Sequence, residues 1–166
     1  MTAYSIKDKR LKWAKIGMTL LFLVFFVPLK ASYILIPMDV KQVNHLKAYG
    51  ITYWVINQNI EAFWLLNYRG GSFAFVHTKT FEKECITRGV SYEVIADAEY
   101  IRIREEINNP EINQEVMKLE KAPRIAVYTP EFNEKGERIQ PWDDAVTLAL
   151  TYAEIPFDKI YDKEIV

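Results

Sequence analysis

The chain has 166 residues, half of them apolar, with 21 basic and 22 acidic side chains; it is long enough for one ordinary domain, or for one small domain plus a piece of another, and too apolar for a disordered polymer. Six of the basic residues but one acid lie in residues 1–31, so the remainder holds 15 basic and 21 acidic residues, a net charge of −6. That balance excludes nucleic acid as a partner, because binding it draws on clustered Lys and Arg to neutralise phosphates.

Lys7, Lys9, Arg10, Lys12 and Lys15 stand against the single acid Asp8, and "IGMTLLFLVFFV" then runs uncharged from Ile16 to Val27. A spanning helix needs ~20 apolar residues, more than this run offers, and Leu29-Lys30-Ala31 ends in a small residue suited to cleavage. The pattern predicts a signal peptide over residues 1–31 and export to the periplasm or cell envelope. Left uncut, the same segment would anchor the protein in the inner membrane through residues 16–27. A buried amphipathic helix is the competing reading, but it needs a polar face, and Thr19 alone breaks the middle of the run. Cys85 is the one cysteine, so no internal disulfide staples the fold.

After the leader, "SYILIPMD" is a nearly continuous apolar run, as in a strand buried on both faces. Residues 40–58 place Val43, Leu46, Gly50, Tyr53 and Trp54 on one helical face. Gly50 costs such a helix ~1 kcal/mol against Ala, which keeps a second reading open: a helix ending at Tyr49, then a strand "ITYWVI". A strand "AFWLLNY" leads into "RGGSFAFVH", and Thr78 to Arg88 is helical until Gly89 stops it. A strand Ser91 to Ile95 follows, and Asp97 or its neighbour caps a helix through Asn108. Asn109 and Pro110 suit the start of another helix, Glu111 to Lys121, charged enough to act as a connector. Past a soft boundary at Ala122-Pro123 come a strand "RIAVYT", a polar loop, a helix "WDDAVTLALTYA" and a strand Phe157 to Tyr161.

Three helix-to-strand steps therefore recur, punctuated by Asn59, Gly89 and Pro156. Alternating strands and helices predict an α/β fold with a mainly parallel sheet, helices on both faces and right-handed crossovers, of the flavodoxin or Rossmann kind. The expected domains are residues 32–121 and the start of a second from residue 122 to 166.

In such a sheet the ligand crevice lies outside the carboxyl ends of the strands, which draws attention to "NYRGGS". Arg69 could contact a carboxylate or phosphate, and Gly70, Gly71 and Ser72 could bring main-chain N–H groups to the same small anion. The other reading is a hairpin turn between "FWLL" and "SFAF" that uses its glycines for positive φ. No Gly-Lys-Ser/Thr follows, so this is not a P-loop, and no cofactor is assigned. Asp143 and Asp144 could form an acid–base pair or hold a hard cation, or they could complement the first turn of a helix. His45 and His77 have no carboxylate or cysteine at metal-ligand spacing and are read as surface or loop histidines, with no metal site assigned. Cys85 lies within helical "FEKECITRG" and reads as an inert buried thiol. Tyr49, Tyr53, Trp54, Phe63, Trp64, Phe73 and Phe75 are dense enough for a sugar or aromatic-ligand surface, but core packing of a small sheet is the preferred reading.

With "ILIPMD", "NHLKAYGITYWV", "WLLNYRGGSF", "RGVSYEVI", "KAPRIAVYTP" and "QPWDDAVTLALTYAEIPFDKIYD", the chain resembles the front part of exported bacterial proteins labelled asparagine synthetase B, from about Tyr33 to Asp162. Glutamine-dependent asparagine synthetases have a nucleophilic cysteine after the initiator Met and an SGG-x-DS-type loop for ATP; this chain has Thr2 and no such loop. Arg124 to Val166 is similar to the opening β-α-β step of class I glutamine-amidotransferase-like domains, whose Gly-x-Cys-x-Gly elbow lies further along. The resemblance thus implies amidotransferase-like chemistry but carries no catalytic residue onto these positions. The resulting expectation is the N-terminal portion of an exported α/β protein, its second domain interrupted and its catalytic site incomplete. The alternative is a periplasmic small-molecule-binding or envelope-associated module that uses its strand-end loops.

Overall fold

The structure is a computed structural model, and it describes residues 32–109, 111, 113–129, 132, 135–137 and 145–161. The chain divides into Met1–Lys30 and a compact unit, Ala31–Val166. The expected signal peptide and the Asp143–Asp144 pair lie outside the described residues.

Within the compact unit the order is β1 (Ser32–Ile36), α1 (His45–Asn57), β2 (Ala62–Leu66), β3 (Ser72–Val76), α2 (Lys79–Thr87), β4 (Glu93–Ala96), α3 (Asp97–Ile107), β5 (Glu115–Leu119), β6 (Ala126–Tyr128), α4 (Ala145–Ala153) and β7 (Asp158–Ile160). The first five strands form one sheet in the order β4-β1-β3-β2-β5, and every neighbouring pair is antiparallel. The expected mainly parallel sheet is therefore wrong. Among the described residues parallel pairing is confined to a small sheet, β6 with β7, on either side of α4 in the sequence.

The reason lies in what each helix connects. β1 and β2 both run opposite to β3, so α1 joins two strands of the same direction; α2 does the same for β3 and β4, and α3 for β4 and β5. The steps through α1 and α2 are thus β-α-β units with one antiparallel strand inserted between their two strands, and the step through α3 crosses from one edge of the sheet to the other, past β1, β3 and β2. The run β1-α1-β2-β3-α2-β4 is the split, ferredoxin-like arrangement.

Covering helices explain the continuous apolar runs. Ile34, Ile36, Ala62, Phe73 and Phe75 face α1 and α2, meeting Ala48, Ile51, Val55, Phe81 and Cys85. Leu35, Leu65 and Ala74 point the other way, onto Tyr100, Ile103 and Ile107 of α3. β1 and β3 are thus buried on both faces without belonging to a parallel sheet. Each large aliphatic or aromatic side chain so buried contributes about 1.5–3 kcal/mol.

Several elements begin and end as their residues dictate. Asn44 caps α1 by accepting from the Lys47 N–H at 3.1 Å, and Thr78 caps α2 by accepting from the Phe81 N–H at 3.1 Å. Gly89 (φ +66°) closes α2 in a Schellman turn: its N–H reaches Ile86 O, and that of Val90 reaches Cys85 O. Asn59 and Glu154 adopt the same left-handed conformation after α1 and α4.

Other expectations are corrected. α1 continues through Asn57, so no strand forms at "ITYWVI". Its core face is Ala48, Ile51, Val55 and Ile56, whereas Val43 precedes the helix and is 78% exposed. The connector helix Glu111 to Lys121 is instead strand β5, which pairs with the edge of β2 from Ala62↔Leu119 to Leu66↔Glu115. Gly50, a weakness by helix propensity alone, is where α4 docks: a Cβ there would lie 1.7 Å from the Ala153 carbonyl oxygen.

Candidate functional site

The "NYRGGS" segment is the β2–β3 hairpin turn. It contains a single 3-10 turn, Tyr68–Gly70, and places Asn67, Arg69, Gly70 and Gly71 at φ of 60°, 46°, 83° and 89°. The turn folds back on the end of β1, where the Met38 N–H donates to the Arg69 carbonyl at 3.1 Å. Ser72 is buried and donates to the same carbonyl at 3.3 Å, and the Trp64 indole N–H donates to Gly71 O at 3.1 Å.

Arg69 is already occupied. Its Nε donates to Asp39 at 2.8 Å, and its two terminal nitrogens donate to both oxygens of Glu93 at 2.9 and 3.0 Å. This bidentate pairing, ahead of the bond to Asp39, raises the guanidinium pKa still further. In return Arg69, and then the Lys41 backbone N–H, hold Asp39 below its usual carboxylate range. One guanidinium thus serves two carboxylates at this corner. Arg69, Gly70, Gly71 and Ser72 do come together, but as a clasp across the ends of β1, β3 and β4.

His45 donates from Nε2 to the Met38 carbonyl at 3.1 Å. Cys85 is fully buried, and that burial pushes its thiol pKa up to about 12, which makes it inert. Among the described residues no group of three His, Cys, Asp or Glu side chains could hold a metal ion. No helix among them is long and apolar enough to cross a membrane.

Two further arrangements had no assignment from sequence. The first is a cleft of about 250 Å³ lined by Tyr53, Arg124, Ile125, Pro156, Phe157 and Asp158. The Tyr53 hydroxyl donates to Pro123 O at 2.9 Å beside it, and Arg124 pairs with Asp158 at 3.0 Å on its rim. The second centres on His77. Ser32 Oγ lies 3.2 Å from Nδ1, and Glu82 Oε2 lies 3.1 Å from Nε2. Glu82 also accepts from Lys79 at 2.9 Å and from the Tyr92 hydroxyl at 3.3 Å. The Thr78 cap was the available clue, since it sets His77 just before α2 and Glu82 one turn in. Ser32, forty-five residues from His77, carries no such local mark.

Lys79 first and His77 second hold the Glu82 pKa down at about 2, against an ordinary 4.5. A depressed carboxylate stabilises the fold above its unfolded pKa and loses that contribution as protons bind. Stability should therefore fall as pH drops from about 4.5 towards 2. Melting temperatures across that window should decline less steeply in Glu82→Gln than in the parent; parallel profiles would show that Glu82 adds nothing.

No family model matches the chain, and neither does any curated protein or solved structure.

Proposed function

We propose that the chain is an exported, envelope-located module that binds a small anionic ligand, seated in the cleft beside Tyr53 and Phe157. A contrast between two arginines carries this reading. Arg69 spends its guanidinium fork on Asp39 and Glu93, whereas the Arg124 side chain is 93% exposed at the rim of a cleft with aromatic walls. Its pair with Asp158 is also exposed, and such pairs are worth about 0–1 kcal/mol, so a carboxylate or phosphate can displace it at little cost.

The cleft is smaller than the ~300–1,000 Å³ of drug-sized sites, which favours a ligand of modest size. A carboxylate also suits the resemblance to proteins labelled asparagine synthetase B, since amide formation and hydrolysis both handle carboxylates. The location follows from the basic stretch and apolar run that precede β1.

Benzoate, which offers both a carboxylate and a ring, is the test probe. Titration followed by amide chemical shifts should move Arg124, Ile125, Phe157 and Asp158, and Arg124→Ala should remove the response. Arg69→Ala should retain binding while lowering the melting temperature. Loss of benzoate binding in Arg69→Ala at an unchanged melting temperature would return the site to the turn.

A further inference from the structure

The geometry points to Ser32 as an activated nucleophile, with His77 as its general base and Glu82 as the group that orients that base, acting on small activated esters. The proton positions follow from Glu82. With its pKa held near 2 it is a carboxylate at neutral pH and can only accept hydrogen bonds. The neutral imidazole must then carry its proton on Nε2, facing Glu82 at 3.1 Å. That leaves the Nδ1 lone pair towards Ser32 Oγ at 3.2 Å, so the serine hydroxyl is the donor. A hydroxyl donating to a base, itself fixed by a carboxylate, is the arrangement that activates serine on unrelated folds.

The three groups are held by regular structure. The His77 N–H donates to the Ser32 carbonyl at 2.8 Å, which keeps the end of β3 against the start of β1. The Thr78 cap fixes the first turn of α2, which carries Glu82. Lys79 and Tyr92 hold the carboxylate from two further directions. The His77 and Glu82 side chains are 19% and 23% exposed, so the site is sheltered yet within reach of solvent. α2 begins two residues after His77, and the N-terminal end of a helix favours negative charge developing nearby.

In the reaction, Ser32 Oγ adds to the ester carbonyl carbon as its proton passes to Nδ1 of His77. Collapse of the tetrahedral adduct breaks the bond to the leaving alcohol, which takes that proton, and an acyl-serine remains. Water then attacks the acyl carbon and gives a proton to His77, which returns it to Oγ as the acid departs. The net change is ester plus water to acid plus alcohol, with no redox partner.

An alkyl fluorophosphonate bearing a fluorophore tests this on the full chain, since it bonds phosphorus to an activated serine with loss of fluoride. Peptide mapping should place the label on Ser32, and Ser32→Ala should not be labelled. His77→Gln should slow labelling by about 10²-fold or more, and Glu82→Gln by a smaller factor. His77→Gln can still form hydrogen bonds, so its melting curve should stay close to that of the parent while its labelling rate collapses. A parent chain that is not labelled, or is labelled at another residue, would overturn the assignment. So would a labelling rate unchanged in His77→Gln. None of these outcomes bears on benzoate binding at the Arg124 cleft, so the two sites stand or fall separately.

Discussion

Gly50→Ala should destabilise the protein, although the same change in an isolated helix stabilises by about 1 kcal/mol. Gly50 faces α4, and the added methyl carbon would sit 1.7 Å from the Ala153 carbonyl oxygen, with the Ala153 carbonyl carbon at 2.8 Å. These are backbone atoms, so no rotamer change makes room and α4 has to move. Its retreat would strain the contacts that seat it: the Lys47–Glu154 pair, Arg88 to Glu154 at 3.1 Å, and the Asn44 amide to the Tyr152 hydroxyl at 2.7 Å. Overpacking of this kind costs about 1–3 kcal/mol, and contact with fixed backbone places it at the upper end. Hydrogen exchange should show α4 losing protection while β1 and β3 keep theirs. Adding Ala153→Gly should not rescue the variant, because the obstruction is a carbonyl and not a side chain. A Gly50→Ala protein that melts higher than its parent would show that α4 does not pack there.

What the sequence made legible was local. α2 could be bounded from Thr78 to Gly89, because a side-chain cap and a left-handed glycine are written into adjacent residues. β5 could not, because Glu115, Met117, Lys118 and Leu119 are all good helix formers. The open edge of β2 decides their conformation, sending Val116 to the α3 face and Leu119 to the α1 face. Strand direction was hidden for a related reason: a β-α-β step reads the same whether its strands are neighbours or flank a third. The candidate sites divide in the same way. The turn geometry of residues 67–71 was open to reading, since adjacent glycines signal positive φ. The partners of Arg69 were not, since Asp39 and Glu93 lie 30 and 24 residues away and meet it only once β1, β3 and β4 are side by side. The Ser32–His77 contact depends on the same neighbouring of β1 and β3.

That dependence makes Gly70 the residue on which the clasp turns. At φ +83° it occupies a conformation that costs an L-residue about 1–2 kcal/mol, and a Cβ there would lie 2.4 Å from Met38 O and 2.7 Å from the carbonyl carbon. Gly70→Ala therefore combines backbone strain with a backbone collision and should cost about 3 kcal/mol. In a domain of this size that lowers the melting temperature on the order of 10 °C. The collision pushes the turn off Pro37–Asp39, which breaks the 3.1 Å Met38-to-Arg69 backbone bond and draws the guanidinium away from Asp39. Without Arg69 close by, Asp39 should titrate nearer its ordinary value, a change that carboxyl carbon shifts would follow directly. Gly89→Ala is the control: it has a similar positive φ, but nothing lies within 4 Å of its added Cβ, so it should pay the strain alone. Equal losses in the two variants would mean that Gly70 serves only the turn. A clearly larger loss at Gly70, together with the Asp39 shift, would show that the turn is what seats Arg69 between its two carboxylates.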